Sequence, residues 1–484
     1  MTIKTISRTF KQAPLAWLFA LLVLVGFGVA VLRNPAPRLR RGVHLLPASD
    51  RTLALAEAAG FDTAVAIFSW RDIEPARGEY RWQTPDEVVN GAAFYNLDLV
   101  VRLDQPPAWA SPAGAALNAP PADLGDYARF ASAVAARYQG RMAGYIIWNE
   151  PNLAVNWGGQ PPDPVGYAAL LKAAFAAIKA ADPDALVISA GLASTNQQDA
   201  AALDDRLFVQ AMYAAGAAPY FDALGAHPYG FGRPPDDARG AHDGLNLARV
   251  LDLHDAMQAA GDGKKPVWVT EFGWTVQDAA GAGGQAVTLG QQAEYTAAAF
   301  GRASVDWPWL QLLAVWNLGG EGHPEAGGYS LLEANGEPRP VFTALQKANG
   351  LLPPRLPRSS GSLTPDYRQV LAADAVIQLG GDLSTPNGAG RAWQGMVYVP
   401  DPGARAWTLT MQVAQTGAWD YTVWVNGTQL APASPPANSG GQWATAAWTA
   451  PGSLLRLGPN EIRVSLDENQ PASALQIKDI VLTR

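Results

Sequence analysis

A (β/α)8 barrel followed by an all-β sandwich is the fold this sequence predicts, and three observations carry the prediction. Eight short apolar runs alternate with Ala-rich helical stretches between residues 41 and 350. Those runs are continuous rather than alternating, as in parallel strands covered on both faces. Past residue 366 the pattern changes to strict period two between turn residues, the pattern of antiparallel strands with one buried face.

The first run is "RGVHLLP" (41–47), followed by the helical "TLALAEAAGF" (52–61). "TAVAIFSW" (63–70) and "LDLVVRLD" (97–104) are the second and third. The helix "LGDYARFASAVAARY" (124–138) places Tyr127, Phe130, Ala131, Val134 and Tyr138 on one face. "GYIIWNE" (144–150) is the fourth strand, and "GYAALLKAAFAAIKAADP" (166–183) a helix ended by its Asp-Pro. "ALVISAG" (185–191), "FDALGAHPY" (221–229), "PVWVTEFGW" (266–274) and "LLAVWNLG" (312–319) complete the eight. Thr288 and Gln291 have the spacing of a capping box at the start of the helix before the last strand. Eight strand–helix units over this length suit a barrel. The competing architecture is a doubly wound open sheet, but no Gly-rich nucleotide fingerprint follows the first strand.

Two further segments flank the barrel. "LLPPRLPRSSGSLTPD" (351–366) reads as a Pro/Ser-rich linker, and 367–484 as a jelly-roll-like β-sandwich of accessory type. At the other end, 15–32 are eighteen uncharged, apolar residues preceded by Lys4, Arg8 and Lys11. That is nearly enough helix to span a bilayer, and no A-x-A cleavage site follows it. Residues 1–37 are therefore expected to be a basic stretch and a transmembrane anchor, with the barrel (38–350) outside the cytoplasm, or secreted if the segment is cleaved.

Composition narrows the chemistry. A formal charge of −8 argues against a general nucleic-acid binder. With no cysteine, disulfides, thiolate metal sites and a Cys nucleophile are excluded. His242, His254 and His323 match no zinc spacing, and neither metal nor cofactor is expected. A monomer is expected. Seventeen tryptophans suit apolar cores and flat ligand faces alike.

In a barrel the C-terminal strand ends share one mouth, where active sites sit. The fourth run ends in Asn149 and Glu150, and the seventh carries Glu271. The sixth ends in His227 and Tyr229, and the eighth contains Trp316. A lone strand-end glutamate is more often a salt bridge or a cap than a catalyst. Two in one mouth, each beside tryptophan, form the acid-plus-carboxylate pair that glycoside hydrolysis needs.

"WNEPN" (148–152) and "VTEFGW" (269–274) resemble the strand-four and strand-seven motifs of the clan A retaining glycoside hydrolases. "FSWRDIEPARGEYRW" (68–82) resembles their second strand and loop, and the likeness extends over roughly 41–350. The resemblance implies a retaining β-glycosidase with Glu150 as acid/base and Glu271 as nucleophile. It implies that Asn149 bonds the sugar 2-hydroxyl, Tyr229 touches the nucleophile and Trp316 floors the subsite of the reacting sugar. Many members carry an arginine beside the nucleophile from an early strand. The second strand here has none, and Arg102 on the third is the nearest candidate.

His227 reads equally as a pocket residue and as a structural histidine. Trp70, Trp109, Trp157 and Trp274 are candidates for stacking on sugar, with packing the expected role for at least half of them. Glu74 is read as support for the second loop, Asp104 and Asp222 as turn or cap residues, and Trp424 as sandwich core or interface. The alternatives to an enzyme are a non-catalytic carbohydrate-binding receptor and a cell-surface structural protein.

Overall fold

The structure, a computed structural model, describes residues 38–277, 285–319 and 327–350. It further describes the strand-bearing segments 368–371, 377–379, 392–399, 406–415, 421–432, 442–456, 458–466 and 475–483. The expected anchor at 15–32, the linker at 351–366 and His323 lie outside these residues.

Eight parallel strands close a barrel: β1 (Arg40–His44), β2 (Thr63–Ser69), β3 (Asp98–Asp104), β4 (Gly144–Ile147), β5, β6 (Leu224–His227), β7 (Val267–Phe272) and β8 (Leu310–Val315). β5 comes in two segments, Val187–Ser189 and Leu192–Ala193, with Ala190 and Gly191 between them. The first pairs with β4 and the second with β6. A bridge from Ile188 to Ala223 joins the first segment to the β6 side as well. Closure across the chain ends is made by β1 and β8, with Val43 opposite Val315. The interior is filled by Val65, Val100, Ile146, Ile188, Trp268 and Leu312. Gly144 belongs to this layer because a Cβ there would run into Ile188 and Trp268.

Helices return the chain after each strand: α1 (Asp50–Ala58), a short α2 (Trp70–Ile73) with α3 (Gln83–Phe94), α4 (Leu124–Arg137), α5 (Pro164–Ala181), α6 (Asp205–Ala214), α7 (Arg249–Ala259), α8 (Leu289–Asp306) and α9 (Pro340–Gly350). Their starts follow capping chemistry. Ser49 with Thr52, and Thr288 with Gln291, close reciprocal capping boxes, each worth about 1 kcal/mol. Asp123, Asp163 and Asp204 accept from backbone N–H groups of α4, α5 and α6. α5 is apolar enough to cross a membrane by composition, but it is a barrel helix that buries Tyr167, Leu170, Leu171, Ala174 and Ile178.

The C-terminal domain is two antiparallel sheets. Its strands are β9 (Arg368–Leu371), β10 (Ile377–Leu379), β11 (Ala392–Val399), β12 (Trp407–Gln415), β13 (Tyr421–Val425), β14 (Thr428–Gln429), β15 (Ala444–Ala450), β16 (Gly458–Leu466) and β17 (Leu475–Thr483). One sheet runs β9-β17-β12-β15, with β10 also on β17, and the other runs β11-β16-β13-β14. Period two sends Trp407, Leu409, Met411 and Val413 of β12 inward against Val423 and Val425 of β13. Asn426 and Gly427 take φ 49° and 77°, the left-handed pair that a two-residue hairpin requires. Trp424, expected in the core or an interface, points away from Val423 and Val425 and is half-buried, its Nε1 donating to Thr422 Oγ1 over 2.9 Å.

The sandwich docks on the barrel through α3. Gln83 donates to the Gln394 carbonyl at 2.7 Å and accepts from Trp393 Nε1 at 2.9 Å. Glu87 accepts from the Met396 N–H at 3.3 Å.

Candidate active site

β4 ends at Ile147, before the glutamate, so "WNE" is a bend and not strand. Trp148 and Glu150 adopt φ 74° and 39°, a left-handed backbone that costs on the order of 1–3 kcal/mol each in non-glycine residues. Three hydrogen bonds offset it. Trp148 N donates to the Leu103 carbonyl (3.1 Å), Glu150 N to the Gly191 carbonyl (3.1 Å) and Trp148 Nε1 to the Asn156 carbonyl (2.8 Å). The bend turns the Glu150 side chain into the barrel mouth, where it meets β6.

Each oxygen of Glu150 has a partner. Oε1 lies 2.8 Å from His227 Nδ1, and Oε2 accepts from Asn156 Nδ2 at 3.2 Å. His227 is buried, and its Nε2 lies 3.0 Å from Thr270 Oγ1. A threonine hydroxyl donates or accepts, so either neutral tautomer of His227 is satisfied.

Glu271 stands across the mouth on β7. Arg102 Nη1 donates to its Oε1 and the Tyr229 hydroxyl to its Oε2, each at 2.8 Å. The same Nη1 donates to Asn149 Oδ1 at 2.9 Å. His227 Nδ1 is 3.6 Å from Glu271 Oε2, and His44 Nε2 is 3.7 Å from Oε1. One oxygen of each glutamate and the His227 nitrogen lie within 4.8 Å of one another. That donor set would suit a divalent cation by composition, but the Arg102 guanidinium already faces Glu271 there. The Glu271 side chain is 5% exposed and that of Glu150 16%, so Glu150 is the carboxylate nearer water.

The electrostatics follow from burial. Burial pushes the Glu271 carboxyl up from its ordinary value and Glu150 adds to this, while His227, Arg102 and the Tyr229 hydroxyl act against it. Burial, then the Arg102 charge, hold His44 well below the usual imidazole range, so its ring is neutral. Burial and the Glu271 charge push Tyr229 well above the usual phenol range, so it stays an O–H donor.

The structure thus brings Asn149, Glu150, His227, Tyr229, Glu271 and Arg102 together in one mouth. Arg102, from β3, occupies the place beside Glu271 that the second strand leaves empty. Trp316 follows β8, half-buried, with its ring edge-on to His44 at 4.8 Å. Trp70 does not join them. It is fully buried, stacked on Phe130 at 5.3 Å, flanked by Tyr127 and Trp109, and hydrogen-bonded to Glu74 at 2.7 Å. It opens α2, which turns its ring into the helical layer and leaves no face for a sugar. Trp157 and Trp274 are buried too, and Trp109 is half-buried under Arg77. Glu74 supports the second loop through Trp70 Nε1 and Gly78 N. Asp222 caps β5 at Val187 N. Asp104 is no turn residue: it is buried at the end of β3, 2.9 Å from Arg102 Nε. His254 stacks on Trp309 at 4.0 Å and His242 lies near Asp237, both outside the mouth residues.

Sequence reasoning missed Asn156, Thr270 and His44. Asn156 closes a single 3-10 turn (Ala154–Asn156) after the β4 bend, too short to show a periodicity in the sequence. Thr270 stands next to Glu271 on β7, and His44 ends β1, a strand from which no site residue was expected; a polar residue at the C-terminal end of a barrel strand was the available signal.

No protein-family model matches the sequence, and no curated protein matches it. Solved structures do match its fold. A family 39 glycoside hydrolase from the gut symbiont Bacteroides cellulosilyticus aligns with TM-score 0.52 and 18% identity, over 89% of this chain and 82% of the other. A glucosidase from Croceicoccus marinus aligns with TM-score 0.52 and 13% identity, over 89% and 96%. A GH5_18 protein from Streptomyces cattleya, solved with GlcNAc, aligns with TM-score 0.51 and 20% identity, over 66% and 82%. The first two alignments span most of the chain and the third about two thirds of it, and what is shared is the fold.

Proposed function

We propose that the chain is a retaining β-glycosidase acting on the O-glycosidic bonds of an oligo- or polysaccharide. The observation that carries this reading is the facing pair Glu150 and Glu271, with oxygens within 4.8 Å of each other. Retaining glycosidases hold their carboxyl groups roughly 5 Å apart, whereas inverting enzymes need room for a water. The GlcNAc bound to the Streptomyces cattleya protein supports a sugar as the occupant of this mouth.

The residues divide the work as follows. Glu271, ionised and held by Arg102 and Tyr229, attacks the anomeric carbon and forms an ester bond to it. The bond from that carbon to the leaving oxygen breaks, and Glu150 gives its proton to that oxygen. Glu150, now a carboxylate, takes a proton from water as the water attacks the same carbon. The ester bond breaks and Glu271 is ionised again. Asn149, fixed by Arg102, is placed for the 2-hydroxyl, and Trp316 for the apolar face of the ring. The apolar segment at 15–32 supports an anchored enzyme whose barrel works outside the cytoplasm, and the sandwich serves as an accessory domain.

The test is a panel of 4-nitrophenyl β-glycosides, with the first-formed anomer read by NMR. Hydrolysis with retained configuration, and a 2-deoxy-2-fluoroglycoside label mapped to Glu271, are expected. Hydrolysis with inversion, or a label elsewhere, would remove the retaining assignment.

A further inference from the structure

β3 carries more than the arginine. Arg102 points into the barrel toward Glu271, and Asp104, two residues on, shares its inward face by strand parity. Asp104 Oδ2 lies 2.9 Å from Arg102 Nε and both side chains are under one-tenth exposed; the contact is an ion pair and not an aligned hydrogen bond, and Arg102 Nε and Asp104 Oδ1 are both buried without a hydrogen-bond partner among the described residues. One guanidinium therefore stands between two buried carboxylates: Nε toward Asp104, Nη1 toward Glu271 and Asn149.

We propose that Asp104 is a positioning residue for the nucleophile: its buried carboxylate, paired by charge with the Nε edge of Arg102, holds the guanidinium with its other edge toward Glu271 and Asn149 and divides its charge between two carboxylates. A buried carboxylate at the Nε edge opposes rotation of the planar guanidinium away from it, which favours the orientation in which Nη1 donates to Glu271 and Asn149. The division matters chemically. Glu271 must be a strong enough nucleophile to form the ester and a good enough leaving group to release it. An arginine given wholly to Glu271 would favour release over attack. The charged and titratable groups facing Glu271 are Arg102 from β3, His227 and Tyr229 from the β6 end, His44 from β1 and Glu150 from the β4 bend. Those facing Asp104 are Arg102 and, by its charge, Arg71 of α2, with the Tyr127 hydroxyl of α4 behind. Among these, only Arg102 faces both carboxylates directly.

This inference rests on the glycosidase reading, and the experiment separates the two. In the full chain, kcat and KM are measured against pH on a 4-nitrophenyl glycoside that the wild type hydrolyses. Asp104→Asn keeps the side chain's shape but removes the charge. The acid limb of kcat/KM should move to lower pH by about one unit, because Glu271 then holds the arginine alone. Asp104→Ala should lower kcat about tenfold with KM little changed, since the guanidinium loses its grip. In an Arg102→Lys background the pH shift from Asp104→Asn should vanish. If the asparagine variant does not fold, Asp104→Glu carries the test: charge kept and reach changed, its kcat should fall about tenfold with the limb in place. Wild-type kcat and pH profiles in the asparagine and alanine variants, or in the glutamate variant if that one is used, would overturn the role of Asp104 while leaving the glycosidase intact. A wild type that hydrolyses no glycoside would overturn both.

Discussion

His227 Nδ1 sits 2.8 Å from Oε1 of Glu150, so the proposed acid/base residue is backed by a ring whose far nitrogen rests on a hydroxyl that can reverse its donor role. As Glu150 loses and regains its proton, His227 can exchange tautomers with Thr270 following. His227→Ala should lower turnover of glycosides with poor leaving groups about 10²-fold, and of activated aryl glycosides much less. Thr270→Val, which keeps the shape, should have the smaller effect. Steady-state kinetics on paired substrates checks both, and equal losses on the two substrate types would refute the link to Glu150.

Removing the nucleophile should be decisive. Glu271→Ala is expected to cut turnover by at least about 10⁴-fold while the protein still folds. Azide should restore part of it, giving a glycosyl azide of inverted configuration. Near-normal turnover without azide would dismiss Glu271 as the attacking group.

Glu150→Ala should spare substrates whose leaving groups need no proton. On a dinitrophenyl glycoside the glycosyl-enzyme should form and accumulate, visible as a burst, because base assistance to water is lost. Natural glycosides should lose activity by about 10²-fold or more. Absence of a burst together with equal losses would contradict the acid/base role.

The pH profile has a definite sign. Glu271 must be ionised to attack, and burial raises its pKa above the ordinary 4.5. The kcat/KM of the wild type should therefore be lost as pH falls through a value higher than that of a free carboxylate. Arg102→Gln removes a charge that opposes the rise, so the acid limb should move further up, by about one unit. A limb that stays put in this variant would show that Arg102 does not set the nucleophile.

Ending the chain before β9 should leave small-glycoside turnover within about twofold, since every site residue named above, Trp316 after β8 included, precedes α9 and the barrel has its own core. Its melting temperature should fall by a few degrees, because Gln83 and Glu87 on α3 lose their partners on β11. Intact sugar affinity without turnover in a folded truncation would place the sandwich in the catalytic machinery instead.

The barrel strands were legible because runs such as "TAVAIFS" and "LDLVVRLD" have no polar alternation to confuse them with exposed strands. The two glutamates were legible because a carboxylate following an apolar run falls at the mouth. Trp70 was misread for a physical reason: a tryptophan at a strand end looks the same in sequence whether the chain carries on straight or, as here, turns at once into a helix. Asn156 meets Glu150 across a bend, which no periodicity encodes; the Arg102–Asp104 contact has the period-two spacing of one strand face, but spacing alone does not say that the two side chains pair. Arg102 itself was found only by asking what replaced a missing partner.

The docking of α3 on β11 has a consequence for solubility. β11 is the outer strand of its sheet, and a bare sheet margin is a template for a second chain. Gln83 and Glu87 occupy the Gln394 carbonyl and the Met396 N–H, both on the side turned away from β16. The barrel helix thus acts as a chaperone in cis for its neighbour. Made alone, the sandwich would bare the Gln394 carbonyl and the Met396 N–H to every other copy, and self-association by strand addition would be the first thing to look for in its sedimentation profile.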